Sequence, residues 1–521
     1  MRTARMQISS IRKHIRVSSL LSAAGLVALF VLYTLGISRN PPGFYMDESA
    51  TAYNAYLLSR TGADEAGHFL PLLVQWYTGP STSFVNATTM YLMAIFFRVV
   101  PPSVVAARMF AAFWMFSACL LLGLLAKRIS GRKSIGIIVA GSALLTPWLF
   151  EVGRLVWDAH FVPMAVVLFV LAAYTAQTKD KWSWREIIYL AATLALLTYG
   201  YFAGRVLAPL FALGLLFFAT TRDRLFGIAK VWVLYGLSLI PTLIFNWRHP
   251  GAVASRFALA TYIKPGVPWR DSAAEFIRRY LEDQGVIGLL ETGHPLFRHH
   301  VIEAGGVFFF ATFALSMLGL LIVVVRHLRE PWWRFTLYGL AVSIVPGAIT
   351  YEPFHALRLL ALPVFLLLLT VPALGWLLNV QENKTRSPAP DLQSLIPQAA
   401  RFLILVFLLV LTGFETARFQ KLYRQYGPQR GVFFDAPYKE AYEAAVGQPQ
   451  RPIYLRDGFY GPSYIDGLWY AAIDGRARSE FVHLEAGTKP PSGAIVLSSE
   501  QNCERCEMLK RSGIYILYRQ K

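Results

Sequence analysis

The sequence predicts an α-helical polytopic membrane protein with about eleven transmembrane helices and a small C-terminal extracytoplasmic α/β domain. Hydrophobic residues fill 55% of the 521 positions and charged residues only 16%, a more apolar balance than an average soluble domain carries. Many apolar residues fall in runs of roughly 20, the length a helix needs to cross a hydrocarbon core of about 30 Å. The Lys and Arg cluster in short loops between those runs, so the net charge of +19 reflects topology and implies no nucleic-acid partner.

In chain order, Arg2, Arg5, Arg12, Lys13 and Arg16 precede an apolar run over residues 17–37. No small-residue cleavage site follows, which reads as a retained anchor with a cytoplasmic N-terminus. Residues 83–100 are apolar enough to suggest a second span. Counting them would put the basic loop 127–133 on the outer side, against the positive-inside rule. They are therefore assigned to an interfacial or re-entrant helix inside one long outer loop, residues 38–102. The inner loops are then 127–133, 179–185, 222–230, 326–334 and 379–401, the last with a flexible Pro-rich piece at 387–390. The outer loops are 151–160, 199–205, 246–300 and 351–358. A last span over 402–414 closes a membrane domain, residues 1–414, and delivers a soluble tail, residues 415–521, to the outside. In that tail 453–455, 494–497 and 514–518 read as strands, and 439–446 and 500–510 as helices. Cys119 reads as a packed side chain, and Cys503 and Cys506 as a local disulfide or two free thiols.

The predicted outer face gathers ionisable groups at helix ends: Asp47 and Glu48, Arg108, Glu151, Arg154 and Asp158, Arg205, and His355 with Arg358. Charges at membrane depth are costly, and those that persist usually face a cavity or one another. A carboxylate can take a proton from an attacking hydroxyl, and arginine matches phosphate with its fork of donors. The combination fits group transfer from a phosphate-linked donor. Trp157 and Tyr201, on short loops beside these groups, are candidates to stack on a sugar.

Several motifs resemble a family. They are Met46-Asp47-Glu48 with the Ala-rich, Tyr-bearing helix after it, Thr61-Gly62-Ala63-Asp64-Glu65-Ala66-Gly67, Tyr91, and Ala106-Ala107-Arg108-Met109-Phe110. Thr146-Pro147-Trp148, Gly153-Arg154 with Asp158, and His355-Ala356-Leu357-Arg358 before Pro363 continue the series. Together they look like bacterial family 39-type glycosyltransferases of the GT-C superfamily, which includes protein O-mannosyltransferases and the aminoarabinose transferase of lipid A. The resemblance implies an inverting transfer of a sugar from a polyprenyl-phosphate donor to a lipid, glycan or protein acceptor, outside the cytoplasmic membrane of a bacterium. By that carry-over Asp47 is the base, Glu48 orients it or binds acceptor, and Arg108 meets the carrier phosphate. Arg154, Asp158, His355 and Arg358 are further candidates for the phosphate or sugar, with Asp158 alternatively paired to Arg154. Glu151-Val152-Gly153-Arg154 departs from the more usual aromatic-Ser-Arg, and Asp158 stands where Glu is common, so the donor sugar stays open. A flippase of lipid-linked sugars and a glycan ligase are the alternatives. No metal or other cofactor is expected, since neither Asp47 with Glu48 nor His299 with His300 has a persuasive ligand spacing. The oligosaccharyltransferase branch uses a metal, which keeps a metal-assisted version open.

Overall fold

The computed structural model describes residues 23–78, 83–379, 396–458, 461–500, 503 and 505–521. The N-terminal basic cluster and most of the 379–401 loop lie outside the described residues. The chain is mostly helical with a small sheet near its C-terminus. Five helices are long and apolar enough to cross a membrane, and the bent pair Lys133–Leu145 with Pro147–Gly153 makes a sixth. The shorter apolar helices Ala23–Thr34, Gly204–Phe218 and Leu362–Leu377, with Trp184–Gly200 and Pro331–Val342, fall on the other segments expected to span.

Local chemistry explains the breaks. Helix Val104–Ser130 opens where Ser103 Oγ accepts the Ala106 N–H at 3.0 Å. It ends at Gly131, whose φ of 68° suits a residue without Cβ. The 61° bend in the third segment falls at Pro147, which lacks a donor and drives Thr146 out of helical geometry. Residues 83–100 do not span. They form strand β2 (Ser83–Asn86), paired antiparallel with β1 (Leu73–Trp76), and the short helix Thr88–Phe97. Basic loops 127–133, 179–185 and 222–230 lie together at one end of the bundle. There the Arg224 guanidinium donates to the Lys179 carbonyl at 3.0 Å and that of Arg128 to Thr175 Oγ1 at 3.3 Å.

The composition change at residue 415 falls inside one continuous helix, Gln398–Tyr426, which a 3-10 stretch prolongs to Phe434. The expected boundary at 415 is therefore too early, and the α/β unit starts with helix Ala436–Val446. Its sheet runs β4 (Phe481–Leu484), β3 (Ile453–Arg456), β5 (Ile495–Ser498), β7 (Tyr515–Gln520), β6 (Cys506–Ser512). β3 lies parallel to β4 and β5, and β7 antiparallel to β5 and β6. The segment expected as helix 500–510 instead supplies the edge strand β6, and Cys503 is joined to Cys506 as a disulfide. This unit packs on the first loop. Phe44 stacks on Trp469, Ser49 Oγ donates to Asp466 Oδ1 at 2.5 Å, and Tyr464 OH donates to Glu65 Oε1 at 2.5 Å. Burial pushes the Glu65 carboxyl up to about 7 against the pull of that hydrogen bond.

Candidate active site

Helix Met46–Thr61 carries two carboxylates in its first turn, where the positive end of the helix dipole favours them. At 3.6 residues per turn, neighbours point about 100° apart, and Asp47 and Glu48 meet different surroundings. Glu48 is fully buried and forms a two-point ion pair with Arg108, at 3.0 Å from Nε to Oε1 and 2.8 Å from Nη2 to Oε2. The backbone N–H groups of Val156 and Tyr45 donate to the same carboxylate. Asp47 keeps 20% of its side chain exposed. Its Oδ1 accepts the Tyr77 hydroxyl at 2.5 Å, and Arg256 Nη2 lies 3.9 Å from Oδ2.

Arg108 corrects an expectation. Its remaining donors go to the carbonyls of Ile37, Pro41 and Gly43 at 3.2, 2.7 and 2.9 Å, and the side chain is fully buried. No donor is left for a carrier phosphate. Arg108 instead fastens the turn that brings the chain from the first span into helix Met46–Thr61. Gly43 (φ 84°) sits in that turn against the backbone of Phe434 and Ala436, where any Cβ would collide. Arg154 is likewise a tie, donating to the carbonyls of Tyr33 and Leu35 under the ring of Phe150. Among the described residues it has no ion pair with Asp158, and its Nε is buried without a partner there. Glu151 is buried and accepts from His300 Nδ1, the Val301 N–H and Arg430. Trp157 is buried against Tyr45, His299 and Phe434, so it offers a sugar no free face.

The structure does bring Asp158 to Asp47, through an arginine that the sequence did not single out. Arg256 belongs to the short helix Ser255–Ala260 in the 246–300 loop and lies over the Trp76 ring. Burial works against its charge, but Asp47, Asp158, Tyr77 and Tyr201 around it prevail and hold the guanidinium above the usual arginine range. Arg205 anchors this region to β2 and the 246–300 loop through Asn86 Oδ1 and the Val253 carbonyl. Tyr201 is buried and lies within electrostatic reach of Asp158, Arg358, Arg256 and Glu352. Arg358 donates to Thr350 Oγ1 at 2.9 Å and pairs with Glu352 Oε2 at 2.9 Å. Its Nε is buried without a partner among the described residues. His355 Nε2 lies 3.2 Å from the same Glu352 oxygen. Arg298 covers the Tyr45 ring at 4.3 Å.

Asp47 and Glu48 cannot chelate one ion together, because Glu48 spends both oxygens on Arg108 and two backbone N–H groups. His299 and His300 also part company: His300 joins Glu151, while His299 turns to His294 and His355. Asp283 steadies the 351–358 loop by accepting the Phe354 N–H at 2.6 Å, and burial pushes its carboxyl up to about 7.

Among solved structures, the chain is similar to ArnT from Cupriavidus metallidurans. The form bound to undecaprenyl phosphate matches over 95% of this chain and 97% of that one, at TM-score 0.55 and 10% identity. The apo form matches over 95% and 98%, at TM-score 0.56 and 12% identity. The archaeal oligosaccharyltransferase AglB from Archaeoglobus fulgidus, in complex with an inhibitory peptide and a dolichol-phosphate, matches over 87% of this chain and 63% of that one, at TM-score 0.47 and 13% identity. No family model and no curated protein matches the chain. At such identities the ArnT likeness is one of fold, shared over 95% of this chain.

Proposed function

We propose that the chain is a membrane glycosyltransferase that moves a sugar from a polyprenyl-phosphate donor to a lipid, glycan or protein acceptor on the outer side of a bacterial cytoplasmic membrane. The observation that carries this reading is Asp47, a partly exposed carboxylate fixed by Tyr77 and faced by the Arg256 guanidinium. The fold shared with ArnT, one of whose structures holds undecaprenyl phosphate, supports the carrier class.

In this mechanism Asp47 accepts the proton of the acceptor nucleophile as its lone pair attacks the anomeric carbon. The bond from that carbon to the phosphate oxygen breaks, its electron pair stays on the polyprenyl phosphate, and the configuration inverts. Tyr77 holds the carboxylate in place. In this reading Arg256 and Arg358 meet the phosphate, whose charge grows as the bond breaks, and preorganised cations there lower the barrier by a few kcal/mol. Asp158, which acts on Arg256 together with Asp47, holds a sugar hydroxyl in this mechanism. Glu48 and Arg108 position the helix and touch neither substrate.

The test compares cell-envelope glycans and lipid-linked sugars by mass spectrometry with and without the gene. A sugar should vanish from one envelope component while its polyprenyl-phosphate form accumulates. An unchanged envelope together with an unchanged carrier pool would contradict the reading.

A further inference from the structure

Three histidines that the transfer mechanism does not use converge from two loops. His294 and His299 lie between the π-turn Gly288–Thr292 and the 3-10 turn Ile302–Ala304. His355 comes from the loop that precedes helix Leu362–Leu377. One ring nitrogen from each lies within 4.8 Å of the other two, and all three residues are buried. The Nδ1 atoms of His294 and His299 are 3.2 Å apart. Zinc–nitrogen bonds of about 2.0–2.1 Å in a tetrahedron set neighbouring ligand nitrogens about 3.3 Å apart, so this pair already has the spacing of two ligands on one ion.

The alternative is a packed trio of imidazoles, and the hydrogen bonding fits that poorly. His294 Nε2 is buried without a partner among the described residues. The backbone N–H groups that reach the trio, from Leu296 and Leu357, are long at 3.4 and 3.3 Å. Buried polar atoms are nearly always satisfied; an ion on the facing Nδ1 atoms of His294 and His299 would occupy lone pairs that no strong donor reaches. Glu352, 3.2 Å from His355 Nε2, supplies a bordering carboxylate of the kind that orients metal-bound histidines and offsets the charge. A cavity of about 370 Å³ is lined by chain neighbours of two of these histidines, Gly293 and Pro295 beside His294 and Phe354 beside His355.

We propose that His294, His299 and His355 bind one divalent transition-metal ion of the zinc class, with water or Glu352 as fourth ligand. The ion would staple the 288–302 loop to the loop carrying Arg358, a structural role independent of the glycosyl-transfer reading. The test uses the full chain, purified without a polyhistidine tag and stripped with chelator, then titrated with zinc and, separately, with cobalt. One equivalent of zinc should bind with sub-micromolar affinity, and cobalt should give the visible absorption of a tetrahedral site. His299→Ala should weaken zinc binding at least 100-fold, while His68→Ala, far from the cluster, should leave it unchanged. X-ray absorption of the zinc-loaded wild type should show three nitrogen neighbours near 2.0–2.1 Å, which needs no variant to fold. Absence of stoichiometric zinc, binding that survives His299→Ala, or a shell of oxygens alone would overturn the proposal.

Discussion

Replacing Arg108 by Ala separates a packing role from a phosphate role. The substitution leaves Glu48 as an unpaired buried carboxylate, and removing one partner of such a pair costs about 3–5 kcal/mol. It also strips donors from the carbonyls of Ile37, Pro41 and Gly43, each worth about 1 kcal/mol if water cannot replace the donor. At about 2–4 °C per kcal/mol, the thermal midpoint of the detergent-solubilised protein should fall by about 6 °C or more. Glu48→Gln should fall less, since the amide keeps one acceptor for the guanidinium. The assay is thermal unfolding followed by tryptophan fluorescence, beside carrier-lipid binding measured at a temperature where the variant is folded. A wild-type midpoint combined with lost carrier binding would refute this account and restore Arg108 to the substrate site.

The opposite pattern is expected at Arg256. Arg256→Ala should leave the midpoint near wild type and lower kcat/KM for the polyprenyl-phosphate donor by about 10²-fold or more; equal losses of stability and activity would show it to be structural. Tyr77→Phe removes one hydrogen bond to a charged group, worth about 1.5–3 kcal/mol, and should reduce kcat about tenfold or more with carrier binding intact; unchanged kcat would remove Tyr77 from the site. Asp283 gives a pH signature. Among Arg279, Glu282 and Arg358 the folded carboxyl keeps its proton up to about pH 7, whereas in the unfolded chain it ionises near pH 4. Folding then takes up a proton between those values, so stability falls as pH rises through that window and is flat above it. Asp283→Asn should flatten this slope and unfold at a higher temperature than wild type at pH 8; an unaltered slope would show that the group does not titrate there.

The spans were legible because hydropathy and loop charge are properties of the chain in one dimension. The same charge rule excluded residues 83–100, and the structure makes them a strand and a short helix. The end of the last helix was not legible. Its Gln398–Tyr426 length passes from exposed Phe402 and Phe407 to Glu415, Arg418 and Lys421, and the change in polarity looked like a domain boundary although the backbone continues. β6 was misread because Glu507, Lys510 and Arg511 suit an exposed helix as well as they suit a charged edge strand. Asp47, Asp158 and Arg358 were singled out in the sequence, but the hold on Arg108 and Arg154 was not legible, since nothing local reveals that carbonyls from the end of the first span fold over both. Arg256 and Tyr77 went unnoticed for the complementary reason. Their bond to Asp47 is made across the fold, and in sequence Arg256 looks no different from Arg278 or Arg279, which pair with Glu275 and Glu282 on a helix surface.

The central claim rests on one carboxylate, and Asp47→Asn tests it most directly. The variant keeps an acceptor for Tyr77 and should insert, unfold and bind carrier lipid as wild type does. With a labelled polyprenyl-phosphate sugar and an envelope extract as acceptor, it should transfer less label than wild type by about 10²-fold or more, the scale of a lost general base. Wild-type turnover by a folded Asp47→Asn protein would contradict the account.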